Sequence, residues 1–184
     1  RMDWYSASGT KNTISVPFGY WLPDLWTFQP EMLSMTPAES IYVDPQGRKL
    51  LEVTLEAMQN TKLPSSKEMR ASTGVYVGCM YTDYPQLLAK TSMGSNGQVG
   101  AGSGMAFLCG RVSYTMGFKG PCLSLDTACS SSLAAAHLGR TAIVANECST
   151  ATIAGTNVII IPQTTAGVCN LQALAVDGRC KTLD

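Results

Sequence analysis

Gly120-Pro121-Cys122-Leu123-Ser124-Leu125-Asp126-Thr127-Ala128-Cys129-Ser130-Ser131-Ser132-Leu133-Ala134-Ala135-Ala136-His137-Leu138 changes character once along its length, at Cys129. Before that point, residues 122–126 are short, partly alternating and bounded by Gly120-Pro121, which is a strand signal. From Ser130 onward the chain is rich in Ala and Leu with serines at its start, which is a helix signal with capping residues in place. Cys129 therefore falls on a sharp strand-to-helix turn, over a helix N-terminus whose unpaired N–H groups and dipole favour an anion. The thiolate is the nucleophilic form of cysteine, so such a turn is expected to lower the thiol pKa and activate the sulfur. A free cysteine is more commonly a small buried core residue. The residue pattern alone leaves both readings of Cys129 open.

Further out, Asp44-Pro45 places a capping side chain before a proline at the first helical position, so a helix is expected from residue 45. Leu50, Leu51, Val53, Leu55 and Met58 give it a broad apolar face. Gly47 weakens its first turn by up to about 1 kcal/mol. Pro64-Ser65-Ser66 reads as a loop, residues 74–80 as a buried strand, and Thr82 or Asp83 as the cap of a short helix through Leu88. Gly94, Gly97, Gly100, Gly102 and Gly104 fit neither the P-loop nor Gly-x-Gly-x-x-Gly, so a phosphate cradle is set aside. The segment instead leads into a helix over 105–116, where Arg111 is read as a satisfied structural charge rather than a ligand anchor.

The helix after Cys129 is expected to run to about Val144 with Leu133, Ala136, Leu138 and Ile143 facing inward. A long apolar strand over 151–161, a helix over 164–175 and a turn at Asp177-Gly178 follow. Residues 1–43 hold Trp4, Trp21 and Trp26 among turn formers and short elements such as 28–33. These aromatic residues are expected to pack over a core edge rather than form a binding surface. Alternating strands and helices define an α/β chain without a short internal repeat.

At 184 residues the chain can bury a sizeable core as one domain. It is 45% hydrophobic and only 14% charged, with thirteen basic and thirteen acidic residues. That balance gives no nucleic-acid footprint and no acidic tail. No apolar run approaches the length of a membrane span, and the run 158–161 suits a buried strand. Seven cysteines, an odd number with no Cys-x-x-Cys pair, point to reduced, mostly buried thiols in a reducing, intracellular compartment rather than a disulfide framework. No metal-ligand spacing and no cofactor motif stands out, so neither a metal nor a cofactor is expected. The chain starts at Arg1 without a signal-peptide pattern, and is expected to be a processed product or a piece of a longer polypeptide.

Asp126-Thr127-Ala128-Cys129-Ser130-Ser131-Ser132-Leu133 resembles the active-site signature of the β-ketoacyl synthase (ketosynthase) domain of type I polyketide synthases, a signature also similar in type I fatty acid synthases. The triple serine favours the polyketide branch over stand-alone fatty acid enzymes. Asp44-Pro45-Gln46-Gly47-Arg48 resembles the family's Asp-Pro-Gln-Gln-Arg helix start, with Gly47 in place of the second Gln. Gly110-Arg111-Val112-Ser113-Tyr114 and Gly117-Phe118-Lys119-Gly120-Pro121 resemble the run into the cysteine strand, and Asp177-Gly178-Arg179-Cys180-Lys181 a landmark beyond it. The match is looser at Met32-Leu33-Ser34-Met35-Thr36-Pro37, where the family shows a Phe-Phe-Gly-Ile-Ser-Pro-like run.

The resemblance implies the N-terminal half of a thiolase-like layered α/β sandwich. Residues 1–184 would be a partial ketosynthase domain without its first strand and C-terminal half. It implies Cys129 as catalytic nucleophile and acyl anchor, with its own backbone N–H as one oxyanion donor. The expected reaction is acyl transfer to Cys129, then decarboxylative Claisen condensation with a malonyl-type extender. Implied partners are an acyl carrier protein bearing phosphopantetheine-bound groups and a second copy of the domain, with strand 122–126 near the partner copy. The family also uses two histidines from motifs beyond Asp184, so this chain alone is expected to be inactive. His137 matches a common His-Leu of the family helix. Eight helical residues, a rise of roughly 12 Å, separate it from Cys129, so a structural role is expected. The alternative is a catalytically silent ketosynthase-derived subunit of a larger assembly.

Overall fold

The computed structural model describes residues 4–61 and 66–182. Two compact units divide the chain, Leu25–Val158 and a second made of Arg1–Asp24 with Ile159–Asp184. In chain order the elements are α1 (Pro37–Ser40), α2 (Pro45–Asn60), α3 (Lys67–Ala71), β1 (Thr73–Cys79), α4 (Tyr84–Leu88), α5 (Gln98–Ser103), α6 (Ala106–Met116), β2 (Cys122–Leu125), α7 (Ser131–Val144), β3 (Thr150–Thr156) and α8 (Pro162–Asn170). Single 3-10 turns lie at Pro30–Leu33 and Ser92–Ser95. Pro64 and Ser65 of the expected loop lie outside the described residues.

The larger unit is built on a parallel sheet of order β2-β1-β3. Val75 pairs with Cys122 and Gly78 with Leu125 on one side of β1, and Thr73 pairs with Thr150 and Cys79 with Thr156 on the other. All seven residues of β1 are buried, as a central parallel strand requires. Its alternation sorts two cores. Val75 and Val77 pack with Leu50 and Leu51 of α2 and Leu108 and Val112 of α6. Tyr76 faces the other way, with Ala135 and Ala142 of α7 and Cys148. Each fully buried Leu or Val contributes about 1.5–3 kcal/mol.

Asp44 caps α2 as expected, its Oδ1 accepting the Gln46 N–H at 2.9 Å ahead of Pro45. Leu50 and Leu51 face the core, but Val53 is 60% exposed, because the buried side of α2 runs through Gln46, Gly47 and Thr54 instead. Asp83 stands at the N-cap of α4 without accepting an amide there. The glycine-rich segment is not all loop, since α5 forms within it and Gly102 lies too close to the Tyr42 carbonyl for a side chain. Arg111 pairs with Glu39 at 2.7 Å, but its buried Nε has no hydrogen-bond partner among the described residues, so the expected structural charge is satisfied only in part.

Several expectations fail. The inward face of α7 is Ser131, Ala135, Gly139 and Ala142, whereas Leu133 is 74% exposed and Leu138 and Ile143 are also on the surface. Close helix-to-sheet contact selects small residues, so the large aliphatics point away. β3 stops at Thr156 rather than continuing to 161, because β1 ends at the paired Cys79. The last helix spans Pro162–Asn170, starting on a proline at its first position and ending before Gln172, which has φ 55°. Trp21 is 87% exposed and not packed over a core edge, while Trp26, itself exposed, lies 6.5 Å from the Tyr84 ring. Of the seven free cysteines only Cys79, Cys109 and Cys148 are buried.

In the second unit, Tyr5 bridges to Ile14, and Asn12 and Asn170 join through backbone and side-chain hydrogen bonds of 3.3 Å. Gly178, with φ 68°, makes the expected turn against Phe18.

Candidate functional site

Cys129 occupies the turn between β2 and α7, at the C-terminal end of the parallel sheet. Ala128 before it is in the left-handed region, φ 57°, a conformation costing an ordinary residue roughly 1–2 kcal/mol. Neighbouring side chains hold that turn. Asp126 Oδ1 accepts the Ala128 N–H at 2.7 Å. Ser131 Oγ accepts the Thr127 N–H at 2.9 Å and donates to the Ala128 carbonyl at 2.6 Å. Ser130 Oγ donates to the Thr127 carbonyl at 2.7 Å. The serines thus work backward on the turn. Contrary to the capping expected from sequence, Ser130 accepts no amide of the first turn of α7. The positive end of α7 is left to whatever sits beside Cys129.

Two glycines put the helix start directly on the sheet. A Cβ on Gly78 would lie 2.4 Å from the Ser131 carbonyl carbon, and one on Gly155 would lie 2.6 Å from the Ser132 Cβ. The contact of β1 and β3 with α7 therefore fixes the height of Cys129 above the strand ends. Its exposed thiol opens into a hollow of about 340 Å³, walled by Gly78 and Cys79 at the end of β1 with Met80 after it, and by Gly155 and Thr156 at the end of β3 with Asn157 after it.

The hollow contains a second thiol, buried where Cys129 is exposed. Cys79 is buried, and its pKa is pushed up to about 11, first by burial and then by the charges of Asp44 and Asp126. Elsewhere, Cys122 is pushed up to about 12, again chiefly by desolvation of its sulfur and then by Cys109. Exposed Cys180 goes the other way, its thiol pKa lowered by hydrogen bonding with Thr182. His137 is exposed on α7, and the structure brings no imidazole into the hollow among its described lining residues.

Sequence reading missed Gln46 and Asn157 as parts of this site. Gln46 is almost completely buried and donates to the Tyr81 carbonyl at 2.8 Å and to Asp44 Oδ2 at 3.3 Å. Its Oε1 accepts from the Val158 N–H at 3.2 Å and the Cys79 thiol at 3.7 Å. Asn157 Oδ1 accepts the Tyr81 N–H at 3.1 Å. The available signal was the amide itself, because a Gln on the first turn of a buried helix must find several partners. Among the described residues no cluster of three or more His, Cys, Asp or Glu side chains could hold a metal ion, and no helix is long and apolar enough to cross a membrane.

The whole of residues 1–184 matches the family model for the β-ketoacyl synthase N-terminal domain. The chain belongs to that family. It is 39% identical to erythronolide synthase EryA2 of Saccharopolyspora erythraea, over 92% of this chain and 5% of that protein. It is 38% identical to the spectinabilin polyketide synthase system protein NorA' of Streptomyces orinoci, over 89% of this chain and 4% of that protein. Its fold superposes on the oxazolomycin ketosynthase domain of Streptomyces albus JA3453 with a TM-score of 0.85 and 32% identity, covering 96% of this chain and 31% of that one. It also matches the module 6 ketosynthase of the Bacillus subtilis 168 bacillaene synthase, with a TM-score of 0.75 and 30% identity, covering 89% and 27% of the two chains. The fold is thus the α/β, thiolase-like fold expected from the sequence.

Proposed function

We propose that this chain is the cysteine-bearing portion of a polyketide-type ketosynthase domain, and that Cys129 is its acyl-accepting nucleophile. The observation that carries the reading is the exposed Cys129 thiol on a side-chain-braced turn at the uncapped start of α7, open to a hollow at the strand ends. In the first step Cys129 Sγ attacks the carbonyl carbon of an acyl thioester on a carrier protein, and the carrier thiol departs with the proton. The tetrahedral oxyanion is met by the backbone N–H of Cys129 as one donor. In the second step a malonyl-type thioester loses carbon dioxide, its carbanion attacks the acyl carbon on Cys129, and the Cys129 sulfur leaves. The enolate-stabilising histidines of that step are supplied by the rest of the complete domain, since His137 is not at the hollow. The preferred partners are an acyl carrier protein and a second copy of the domain at the β2 edge.

The test is condensation by the intact protein with an acyl primer and malonyl carrier. Product formation that disappears in Cys129→Ala supports the reading. Equal product formation in that variant contradicts it. A correctly acylated Cys129 with no condensation in the intact protein would favour the silent-subunit reading.

A further inference from the structure

We propose that Gln46 is a positioning residue for the Cys129 hollow, its buried carboxamide tying together the two chain segments that form the wall beside the thiol. This rests on the reading of Cys129 as an acyl-accepting nucleophile. The segments are those leaving the ends of β1 and β3, where Met80 and Asn157 continue the wall that Gly78 and Cys79 of β1 and Gly155 and Thr156 of β3 begin. They are parallel neighbours up to the pair Cys79 and Thr156, and beyond that pair the ladder ends. Without ladder bonds, two such exits separate unless other groups join them. Gln46 does so from the first turn of α2. Its NH₂ reaches the Tyr81 carbonyl on the β1 exit, at 2.8 Å, and its oxygen takes the Val158 N–H on the β3 exit, at 3.2 Å. Asn157 closes the ring by accepting the Tyr81 N–H at 3.1 Å. The Cys79 thiol also points to the Gln46 oxygen, at 3.7 Å, and to the Tyr81 carbonyl, at 3.4 Å.

The Gln46 amide thus joins the two exits, together with the Asn157 bond, while the turn of Cys129 is braced separately by Asp126, Ser130 and Ser131. This separation gives Gln46 a distinct signature. Its loss loosens the wall against which a thioester is seated and leaves the sulfur in place. A misplacement of about 1 Å in a reacting pair costs up to about a hundredfold in rate.

The experiment compares the intact protein with Gln46→Met, which keeps the volume and removes the hydrogen bonds, and with Gln46→Glu, which keeps an acceptor and removes the donor. Acyl transfer from an acyl N-acetylcysteamine thioester to Cys129 is measured by peptide mass. Alkylation of Cys129 by iodoacetamide reports the sulfur alone, and protection of Cys79 reports the fold. The expected result is acyl transfer slowed about ten- to a hundredfold, with iodoacetamide alkylation of Cys129 unchanged and Cys79 protected in at least one variant. Unchanged acyl transfer with Cys79 protected would overturn the proposal. Loss of both reactions with Cys79 labelled in both variants would also overturn it, marking Gln46 as a folding residue only. Failure of the unsubstituted protein to take an acyl group on Cys129 would strike the underlying reading instead, and is seen without any variant.

Discussion

At the scale of single residues, the site depends on which groups are buried and what they touch. Asp44 is fully buried, and its pKa is pushed up to about 6, chiefly by that burial and against the lowering effect of its Gln46 hydrogen bonds. In the unfolded chain an aspartate titrates near 3.9. Between about pH 4 and pH 6 the folded state therefore holds more protons at this position than the unfolded state. Its stabilising contribution is present below the unfolded pKa and is lost as pH rises through about 6. Urea midpoints measured across this window should show Asp44 lowering stability with rising pH, by up to about 3 kcal/mol. Asp44→Asn, which can still cap α2, should flatten that part of the profile. An unchanged slope in the variant would contradict the assignment. The thiols form a second residue-scale series. Iodoacetamide at neutral pH should modify exposed Cys129 and Cys180 ahead of buried Cys79, Cys109 and Cys148, with Cys180 retaining reactivity to lower pH because its pKa is lowered. Peptide mapping that found Cys79 modified ahead of Cys129 would count against the geometry of the hollow.

At the scale of elements, the decisive contact is that of α7 with β1 and β3. Gly78→Ala places a methyl 2.4 Å from backbone at Ser131, which no rotamer change can relieve. It should cost about 1–3 kcal/mol and shift the turn of Cys129. Ala135→Leu, at a fully buried position on the same face, should destabilise to a similar degree, whereas Leu133→Ala in the 184-residue chain should change stability by no more than about 0.5 kcal/mol. Thermal melts of these three variants check the order, and a larger loss at Leu133 than at Ala135 would contradict it. Both termini of this helix were readable to within a residue, because Ser130 onward carries a clear helical composition and Cys122 to Leu125 a clear strand pattern. Its buried face was not readable. Apolar size points to Leu133 and Leu138, but the separation of helix and sheet, set by Gly78 and Gly155 on other strands, reserves the contact for Ala and Gly. The end of β3 was hidden for a similar reason. The apolar run through Ile161 looks like one strand, and only the length of β1, its pairing partner, ends it at Thr156. Gln46 was legible only as part of the helix-start motif, because its partners Tyr81 and Val158 are distant in sequence.

At the scale of the whole molecule, large apolar side chains remain exposed, among them Tyr20, Trp21, Leu133, Val144, Leu171 and Val176. Apolar surface of this kind drives association. Residues 1–184 by themselves should sediment as a self-associating species and release no carbon dioxide from a malonyl carrier, and a stable monomer that condenses acyl groups would overturn that expectation. The family and the place of the cysteine were legible because short motifs in family order carry them. The wall of the hollow was not, since it is assembled from strand ends that sequence alone does not bring together. The central claim is that Cys129 accepts the acyl group, and it is tested most directly by covalent mapping. The intact protein is incubated with an acyl thioester, digested, and its cysteine peptides are weighed. The expected result is a single acyl adduct on the peptide containing Cys129, absent in Cys129→Ala. An adduct on Cys79 or Cys180 with Cys129 unmodified, or the same adduct persisting in the variant, would contradict it.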